Sequence, residues 1–233
     1  MNPSNETIAL SVASPAGAAP RLADRPQTLG EEVANAISHG LGLLLAVASL
    51  PILVVFSGQH GVHSSLAGAL VFSITMMLLY GASTLYHALP AGRAKAWCQR
   101  LDHAAIYLFI AGSYTPFVLG PLYGPWGWSL FGVVWGAAAL GIAAKLLNRL
   151  SHPWLSTGLY VAMGWVAVVA IGPLLERMPP AGLALLVAGG VAYTLGAVFF
   201  LLDNRLRYAH FVWHLFVLAG SVLHFFAALL YAV

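Results

Sequence analysis

The stretch AHFVWHLFVLAGSVLHFFAALLYA, residues 209–232, decides what kind of protein this chain forms. It is almost entirely apolar and exceeds the roughly 20 residues that a helix needs to cross a lipid bilayer. It also carries His210 and His214 near its start. Side chains four residues apart lie on the same face of a helix, so both imidazoles can reach one metal ion. The stretch therefore predicts a membrane-spanning helix that begins with two metal ligands.

Apolar stretches of similar length fill most of the chain, which is 60% hydrophobic and 7% charged over its 233 residues. Because backbone polar groups in lipid must find their hydrogen bonds within the segment, these stretches predict helices. We therefore predict an all-α membrane protein, a bundle of seven transmembrane helices that occupies residues 30–233. The predicted helices cover about residues 34–56, 64–89, 101–121, 126–146, 155–175, 181–202 and 209–232.

Residues 1–29 differ in composition from the rest of the chain. They are rich in Ala, Pro and Ser and show no hydrophobic periodicity, which predicts a disordered tail. The mildly apolar run within this tail contains Pro15 and has no basic residue before it. A secretory signal peptide needs such a charged start, so we do not interpret the run as one.

Lysine and arginine residues predict the orientation of the bundle. Only Arg177 follows an odd-numbered helix, and the other cations lie in the tail or after even-numbered helices. Cytoplasmic loops of membrane proteins carry the excess of positive charge, so we predict a cytoplasmic N-terminus and a C-terminus outside. The cations on the predicted cytoplasmic side are Arg21, Arg25, Arg93, Lys95, Arg100, Lys145, Arg149, Arg205 and Arg207.

The same composition excludes other classes of function. The single Cys98 excludes a disulfide framework and a cysteine-rich metal cluster. No basic patch is interleaved with aromatic residues, so nucleic acid is not an expected partner.

A third metal ligand is expected at the same membrane depth as His210 and His214. His87 meets this condition because it ends the second predicted helix about one turn inside the membrane boundary. Ser83 lies one turn before it, and Asp102 lies one turn into the third predicted helix. Ionisable groups in a membrane are costly and therefore mark functional sites. We predict that His87, His210 and His214 bind zinc, and that Asp102 either binds the ion directly or acts on a water beside it.

Other polar residues in the membrane have simpler explanations. A single histidine in a helical bundle is more often a hydrogen-bonded interior residue, and we interpret His39, His103 and His224 in this way. Residues 112–116, the sequence GSYTP, are interpreted as a kink with internal hydrogen bonds rather than a second active site.

A polar stripe on the first predicted helix leaves two interpretations open. Glu31 or Glu32, then Asn35 and His39, recur at helical spacing. They could cap the start of the helix, where acidic groups are favoured, or line a path to the metal site.

The order of these polar residues resembles the hemolysin III family, which belongs with the progestin and adiponectin receptors and, more distantly, the alkaline ceramidases. The resemblance covers about residues 31–233. The residues that carry it are Glu32, Asn35, Ser38, His39, Gly40, Ser83, Tyr86, His87, Leu101, Asp102, His103, Gly112, Ser113, Tyr114, Thr115, Pro116, His210 and His214.

The resemblance implies a seven-helix zinc protein with a cytoplasmic N-terminus, located in the bacterial cytoplasmic membrane. His87, His210 and His214 match the zinc ligands of the family, Asp102 matches the acid beside the metal, and Ser83 matches the family serine. His39 and Glu32 match family positions without an assigned role. The receptor members carry a longer cytosolic segment than the tail of this chain, so no hormone-binding domain is expected.

Three functions are compatible with this pattern. The first is a zinc-dependent hydrolase of a lipid amide, resembling a ceramidase, whose lipid substrate enters sideways from the bilayer. Asp102 would be its general base, and Ser83 would stabilise the oxyanion or hold Asp102 in place. The second is a non-catalytic protein in which zinc joins the helices and which senses or regulates the state of membrane lipids. The third is a hemolysin-type pore, against which the outer halves of the predicted helices lack a continuous polar face.

Overall fold

A computed structural model describes residues 25–59 and 63–233, and this part of the chain is helical and contains no strand. Residues 1–24 of the predicted tail lie outside the described residues. The helices are α1 (Leu29–Gln59), α2 (His63–Ala88), α3 (Arg93–Leu119), α4 (Pro125–Leu146), α5 (Pro153–Gly164), α6 (Ile171–Arg177), α7 (Pro180–Leu201) and α8 (Ala209–Tyr231), with a 3-10 helix (Val166–Ala170) between α5 and α6.

The predicted all-helical fold is confirmed for these residues. Six helical segments are long and apolar enough to cross a membrane, and one of them joins α5, the 3-10 helix and α6 into Pro153–Arg177. The helix that falls outside this set is α3. It contacts α2, α4, α5 and α8, and its buried residues run from Cys98 to Val118. Because α3 faces protein more than lipid, it can carry polar side chains that a lipid-facing helix could not.

The start of α3 differs from the prediction. The helix begins at Arg93 rather than near residue 101, because the apolar pattern marked only its buried part. The polar first turns carry Lys95, whose Nζ donates hydrogen bonds to the carbonyl oxygens of Tyr86 at 3.0 Å and Leu89 at 3.1 Å. These carbonyls lie at the end of α2 and lack partners within that helix. Lys95 therefore fixes the corner between α2 and α3.

The predicted fifth helix is broken in its middle. Its regular turns stop at Gly164, and a 3-10 segment precedes α6. The hydroxyl of Tyr114 on α3 lies 2.6 Å from the Gly164 carbonyl and 3.1 Å from the Met163 carbonyl, and it accepts the backbone N–H of Ala167 at 3.0 Å. Backbone groups that lose their helical partners inside a membrane need such a replacement. The GSYTP run therefore supplies hydrogen bonds to the broken helix as well as within α3.

The interior is closely packed between α2 and α3. A side chain at Gly112 would overlap Thr75 of α2. Beside this contact, α1, α2, α3 and α8 share a core that includes Leu53, Phe72, Phe109 and Val217. The outward faces are apolar; Leu140, for example, is 75% exposed. An apolar exterior around a packed core is the pattern of a helix bundle in lipid.

Candidate metal centre

Three buried histidines converge where α2 ends and α8 begins. His87, His210 and His214 each offer a ring nitrogen, and these three atoms lie within 4.8 Å of one another. The ring centroids form a nearly regular triangle, with separations of 5.0, 5.0 and 4.8 Å. His210 and His214 lie one turn apart on α8, as their spacing predicts. The structure thus brings together the three residues that the sequence proposed as ligands.

Each of the three rings has an oxygen partner at Nδ1. His87 Nδ1 lies 2.7 Å from Glu32 Oε2 of α1, and His210 Nδ1 lies 3.0 Å from Asp203 Oδ2. His214 Nδ1 lies 3.2 Å from the carbonyl oxygen of Asn35 and 3.0 Å from Ser38 Oγ.

These partners fix which ring nitrogen carries the proton. A carboxylate and a carbonyl oxygen can only accept, so each Nδ1 must be the donor and each Nε2 keeps a lone pair. The Ser38 hydroxyl agrees, because it donates to the Asn35 carbonyl at 2.9 Å and so receives the proton of His214. All three rings are therefore in the tautomer that binds a metal through Nε2.

The surroundings of His87 Nε2 indicate whether a metal ion fits between the three histidines. It is buried and has no hydrogen-bond partner among the described residues. An unsatisfied buried acceptor costs about 1–3 kcal/mol, and this cost disappears when the lone pair binds a cation. Three neutral imidazoles with their Nδ1 atoms held by oxygens are a zinc-binding donor set.

Asp102 and Ser83 lie in the cavity that borders this cluster. Asp102 is 6% exposed and Ser83 is 1% exposed, and both side chains line this cavity. Ser83 Oγ also lies 2.7 Å from His39 Nδ1. The cavity is lined by Asp102, Ser83, His39, His210 and His214. A carboxylate, a hydroxyl and the rings of His210 and His214 therefore line one cavity.

The other predicted polar residues have distinct positions. His224 is an interior histidine whose Nε2 donates to the Leu186 carbonyl at 3.2 Å. His103 packs edge-on against Phe200 with centroids 6.1 Å apart. His39 is more than a hydrogen-bonded interior residue, because its ring stacks on His214 with a centroid separation of 3.5 Å and an angle of 6°. It thereby contacts a proposed ligand directly.

One residue of the polar stripe has the capping role, and two others contact the histidine cluster. Glu31 caps α1: its carboxylate accepts from the Thr28 backbone N–H at 2.9 Å while Thr28 Oγ1 accepts from the Glu31 N–H at 3.4 Å, the arrangement of a capping box. Glu32 and Asn35 instead contact His87, at 2.7 and 3.5 Å.

Sequence reasoning missed Asp203. This residue lies in the segment between α7 and α8, which the apolar pattern leaves unassigned. Its sequence signal was an acidic residue close before a pair of potential metal ligands, and the carboxylate contact with His210 explains that signal.

Comparison with known proteins agrees with this architecture. Residues 27–225 match the family model described as Haemolysin-III related. The chain is 44% identical to "Hemolysin-3" of Bacillus cereus over 205 residues, which are 88% of this chain and 93% of that protein. It is 40% identical to "Hemolysin-3 homolog" of Bacillus subtilis (strain 168) over 206 residues, 88% of this chain and 96% of that protein. It is 28% identical to human "Monocyte to macrophage differentiation factor" over 209 residues, 86% of this chain and 84% of that protein. No solved structure matches the chain significantly.

The chain belongs to the hemolysin III family. The family relation and the six apolar helices make it an integral membrane protein. Its bacterial relatives agree with the predicted location in the bacterial cytoplasmic membrane.

Proposed function

We propose that this protein is a zinc-dependent hydrolase that cleaves an amide bond of a ceramide-like membrane lipid near the cytoplasmic face of the bilayer. One observation carries the proposal: a carboxylate (Asp102), a hydroxyl (Ser83) and two of the clustered histidines line the same cavity. A metal ion that only joined helices would not need a carboxylate and a hydroxyl beside it. Catalysis of hydrolysis needs both a proton acceptor and a hydrogen-bond donor at the reacting carbonyl.

The proposal includes a topology with seven spans and a cytoplasmic N-terminus. Six segments meet the requirements of length and hydropathy, and we propose α3 as the seventh span because it runs through the middle of the bundle. The Arg177 side chain donates to the Pro121 and Tyr123 carbonyls at 3.4 and 3.2 Å, so this one cation lies with the end of α3 that is remote from Lys95. The positive-inside rule assigns that end to the outside.

His87, His210 and His214 are the residues that would hold zinc through Nε2. A zinc ion bound there would supply Lewis-acid chemistry, polarising the lipid carbonyl and making a bound water acidic near neutral pH. Asp102 has the position of the general base: an oxygen of its carboxylate takes a proton from the attacking water and returns it to the leaving amine. Ser83, which lines the same cavity, would stabilise the oxyanion or hold that carboxylate in place.

The interior of the bundle suits an acyl chain. Beyond the polar end, the cavity is lined by Leu79, Ile106, Phe109 and Val217. A second cavity shares His224, Tyr114 and Trp165 with the first and continues along Leu130, Leu174 and Leu183. A largely apolar space with a few polar groups at one end is typical of sites for amphiphilic ligands.

Lateral entry of the lipid is proposed between α5 and α7. Side chains of both helices line the first cavity, and Trp165, which directly follows α5, donates from Nε1 to Thr194 Oγ1 of α7 at 3.0 Å. Both side chains are partly buried, and a single hydrogen bond contributes only about 0.5–1.5 kcal/mol. Separation of these two side chains would therefore open the cavity toward the bilayer at low cost.

The test combines metal analysis with a lipid assay on the purified protein. We expect the wild type to bind zinc and to release fatty acid from ceramide-like amides. Asp102→Ala should retain most of the zinc and lose about 10²–10⁴-fold in turnover, the contribution typical of a general base. His210→Ala should lose both. The matched control is Glu176→Gln, an acid on the exposed surface of α6, which should change neither.

The alternative functions predict other outcomes. Bound zinc without fatty acid release from any amide lipid would contradict the hydrolase and favour the non-catalytic regulator of membrane lipids. Leakage of dye from protein-containing vesicles would favour the pore that the name of the Bacillus cereus relative suggests. Against a pore, large side chains such as Phe72 and Tyr80 are fully buried between α1, α2 and α8.

A further inference from the structure

Two acidic side chains contact the histidine cluster from segments that supply no ligand to it. Glu32 lies on α1, and Asp203 lies between α7 and α8. Each carboxylate faces the Nδ1 atom of a different histidine, at 2.7 and 3.0 Å. These acids stand behind the rings, on the side opposite the Nε2 atoms that converge.

Glu32 is itself held firmly. Its second oxygen, Oε1, lies 2.9 Å from Lys95 Nζ, and Lys95 is anchored by the last carbonyls of α2. The His87 side chain is fully buried and Glu32 is 19% exposed. The carboxylate is thus fixed between a buried ring and an anchored cation, so it determines the rotation of that ring.

Asp203 has the same relation to His210 in a less rigid setting. Its side chain is 29% exposed, whereas that of His210 is 9% exposed. His210 belongs to the first turn of α8, and Phe200 covers its ring with centroids 5.7 Å apart. The contact with Asp203 is the polar constraint on this ring, and it again leaves Nε2 as the acceptor.

We infer that Glu32 and Asp203 are positioning residues of the metal centre, each accepting the Nδ1 proton of one histidine and so directing its Nε2 lone pair at the shared ion. The inference rests on the proposed zinc site. A carboxylate behind an imidazole also increases its basicity and therefore its strength as a ligand. Helix packing alone would not require the acids to contact Nδ1 of two different rings in the same cluster.

The test is the zinc affinity of the purified full chain in detergent, measured by competition with a chelator. Glu32→Ala should weaken binding about 10–100-fold, as loss of an outer-shell partner does elsewhere. Glu32→Gln should lose less, because its amide oxygen still accepts from Nδ1. Asp203→Ala removes the second acceptor, at a partly exposed position. Cobalt(II) absorption reports any change in ligand geometry.

Two controls separate positioning from stability. Glu176→Gln removes an acid far from the cluster, and Gly112→Ala destabilises the contact between α2 and α3 without touching a histidine. Both should keep the wild-type affinity within about threefold, because neither change touches a histidine of the cluster or a carboxylate behind it. Wild-type affinity in Glu32→Ala and Asp203→Ala would overturn this inference while leaving the zinc site intact. Absence of zinc from the wild type would instead overturn the proposed function.

Discussion

Adjacent residues at the start of α1 perform different tasks. Glu31 closes the capping box with Thr28 and also accepts the backbone N–H of Tyr208 at 2.8 Å. Tyr208 precedes α8 and has a left-handed backbone conformation, with φ of 59°. Glu32, one residue on, turns toward His87. Glu31 therefore joins the starts of α1 and α8, while Glu32 joins α1 to the end of α2.

Removal of the Glu31 carboxylate should destabilise the fold more than a surface substitution does. The residue is 3% exposed, and Arg25 donates to it at 2.9 and 2.6 Å. Glu31→Ala leaves these donors and the Tyr208 N–H without their partner, at a cost of about 2–4 kcal/mol. The measurement is equilibrium unfolding in detergent micelles. Glu176→Gln is the control, expected within about 0.5 kcal/mol; an equal effect of both changes would contradict the assigned role.

At this scale, the sequence predicted residues that obey a local spacing. His210 and His214 follow from a separation of four, and a capping role at the helix start was one of the two interpretations open for Glu31 or Glu32. The contact of His214 with Ser38 joins α8 to α1 across most of the chain, and no local rule contains such information. Asp203 was overlooked for a different reason, because it lies outside any periodic segment.

Among the elements, α3 and the broken fifth helix show how packing overrides hydropathy. The sequence predicted α3 from its apolar half, whereas its polar first turns lie against the end of α2, where the Tyr86 carbonyl accepts from Lys95. The break after Gly164 depends on the Tyr114 hydroxyl of another helix. Neither effect is visible in the sequence of the element concerned, since both come from a neighbour.

The close approach of α2 and α3 should make one glycine irreplaceable. A Cβ at Gly112 would overlap the Thr75 side chain, whereas a Cβ at Gly132 on α4 would meet no atom within 4 Å. Gly112→Ala should cost about 1–3 kcal/mol, the usual penalty for overpacking. Gly132→Ala should be neutral or slightly stabilising, because alanine favours a helix by up to about 1 kcal/mol.

Unfolding temperatures of the two alanine variants, measured side by side in the same detergent, provide the comparison. If Gly112→Ala were as stable as Gly132→Ala, the helices could separate without cost and the contact would not define the bundle. The same pair of variants also tests the stability control used for zinc affinity, since only Gly112→Ala should lower the unfolding temperature.

Polar and charged groups differ between the two ends of the helix bundle. The histidine cluster, Glu32, Lys95 and Asp203 lie at one end of the bundle, and Arg177 lies at the other with the segment after α3. Both the loop charges and the intramembrane histidines could be read from the sequence, and the predicted orientation of the bundle rests on the loop charges alone. The arrangement of the helices around α3 could not be read, because seven apolar segments of similar length allow many packings.

Labelling of single cysteines should test whether α3 crosses the membrane and in which direction. Cys98 is buried and is the only cysteine, so Cys98→Ser provides a background without thiols. Ala91→Cys and Tyr123→Cys introduce thiols at exposed positions before and after α3. If α3 spans with its start in the cytoplasm, a membrane-impermeant maleimide should label Tyr123→Cys in intact cells. Ala91→Cys should react only after the cells are opened.

A third variant tests the orientation of the bundle at a segment outside α3. Asn204→Cys lies in the exposed segment before α8, next to the acid that contacts His210, and should behave like Ala91→Cys. Labelling of Ala91→Cys and Tyr123→Cys from the same side would mean that α3 does not cross. Labelling of Asn204→Cys in intact cells would show that the orientation is opposite to the proposed one, with the histidine cluster at the outer face. The proposed substrate would then have to come from the outer leaflet, because the cluster and the cavity beside it occupy one end of the bundle.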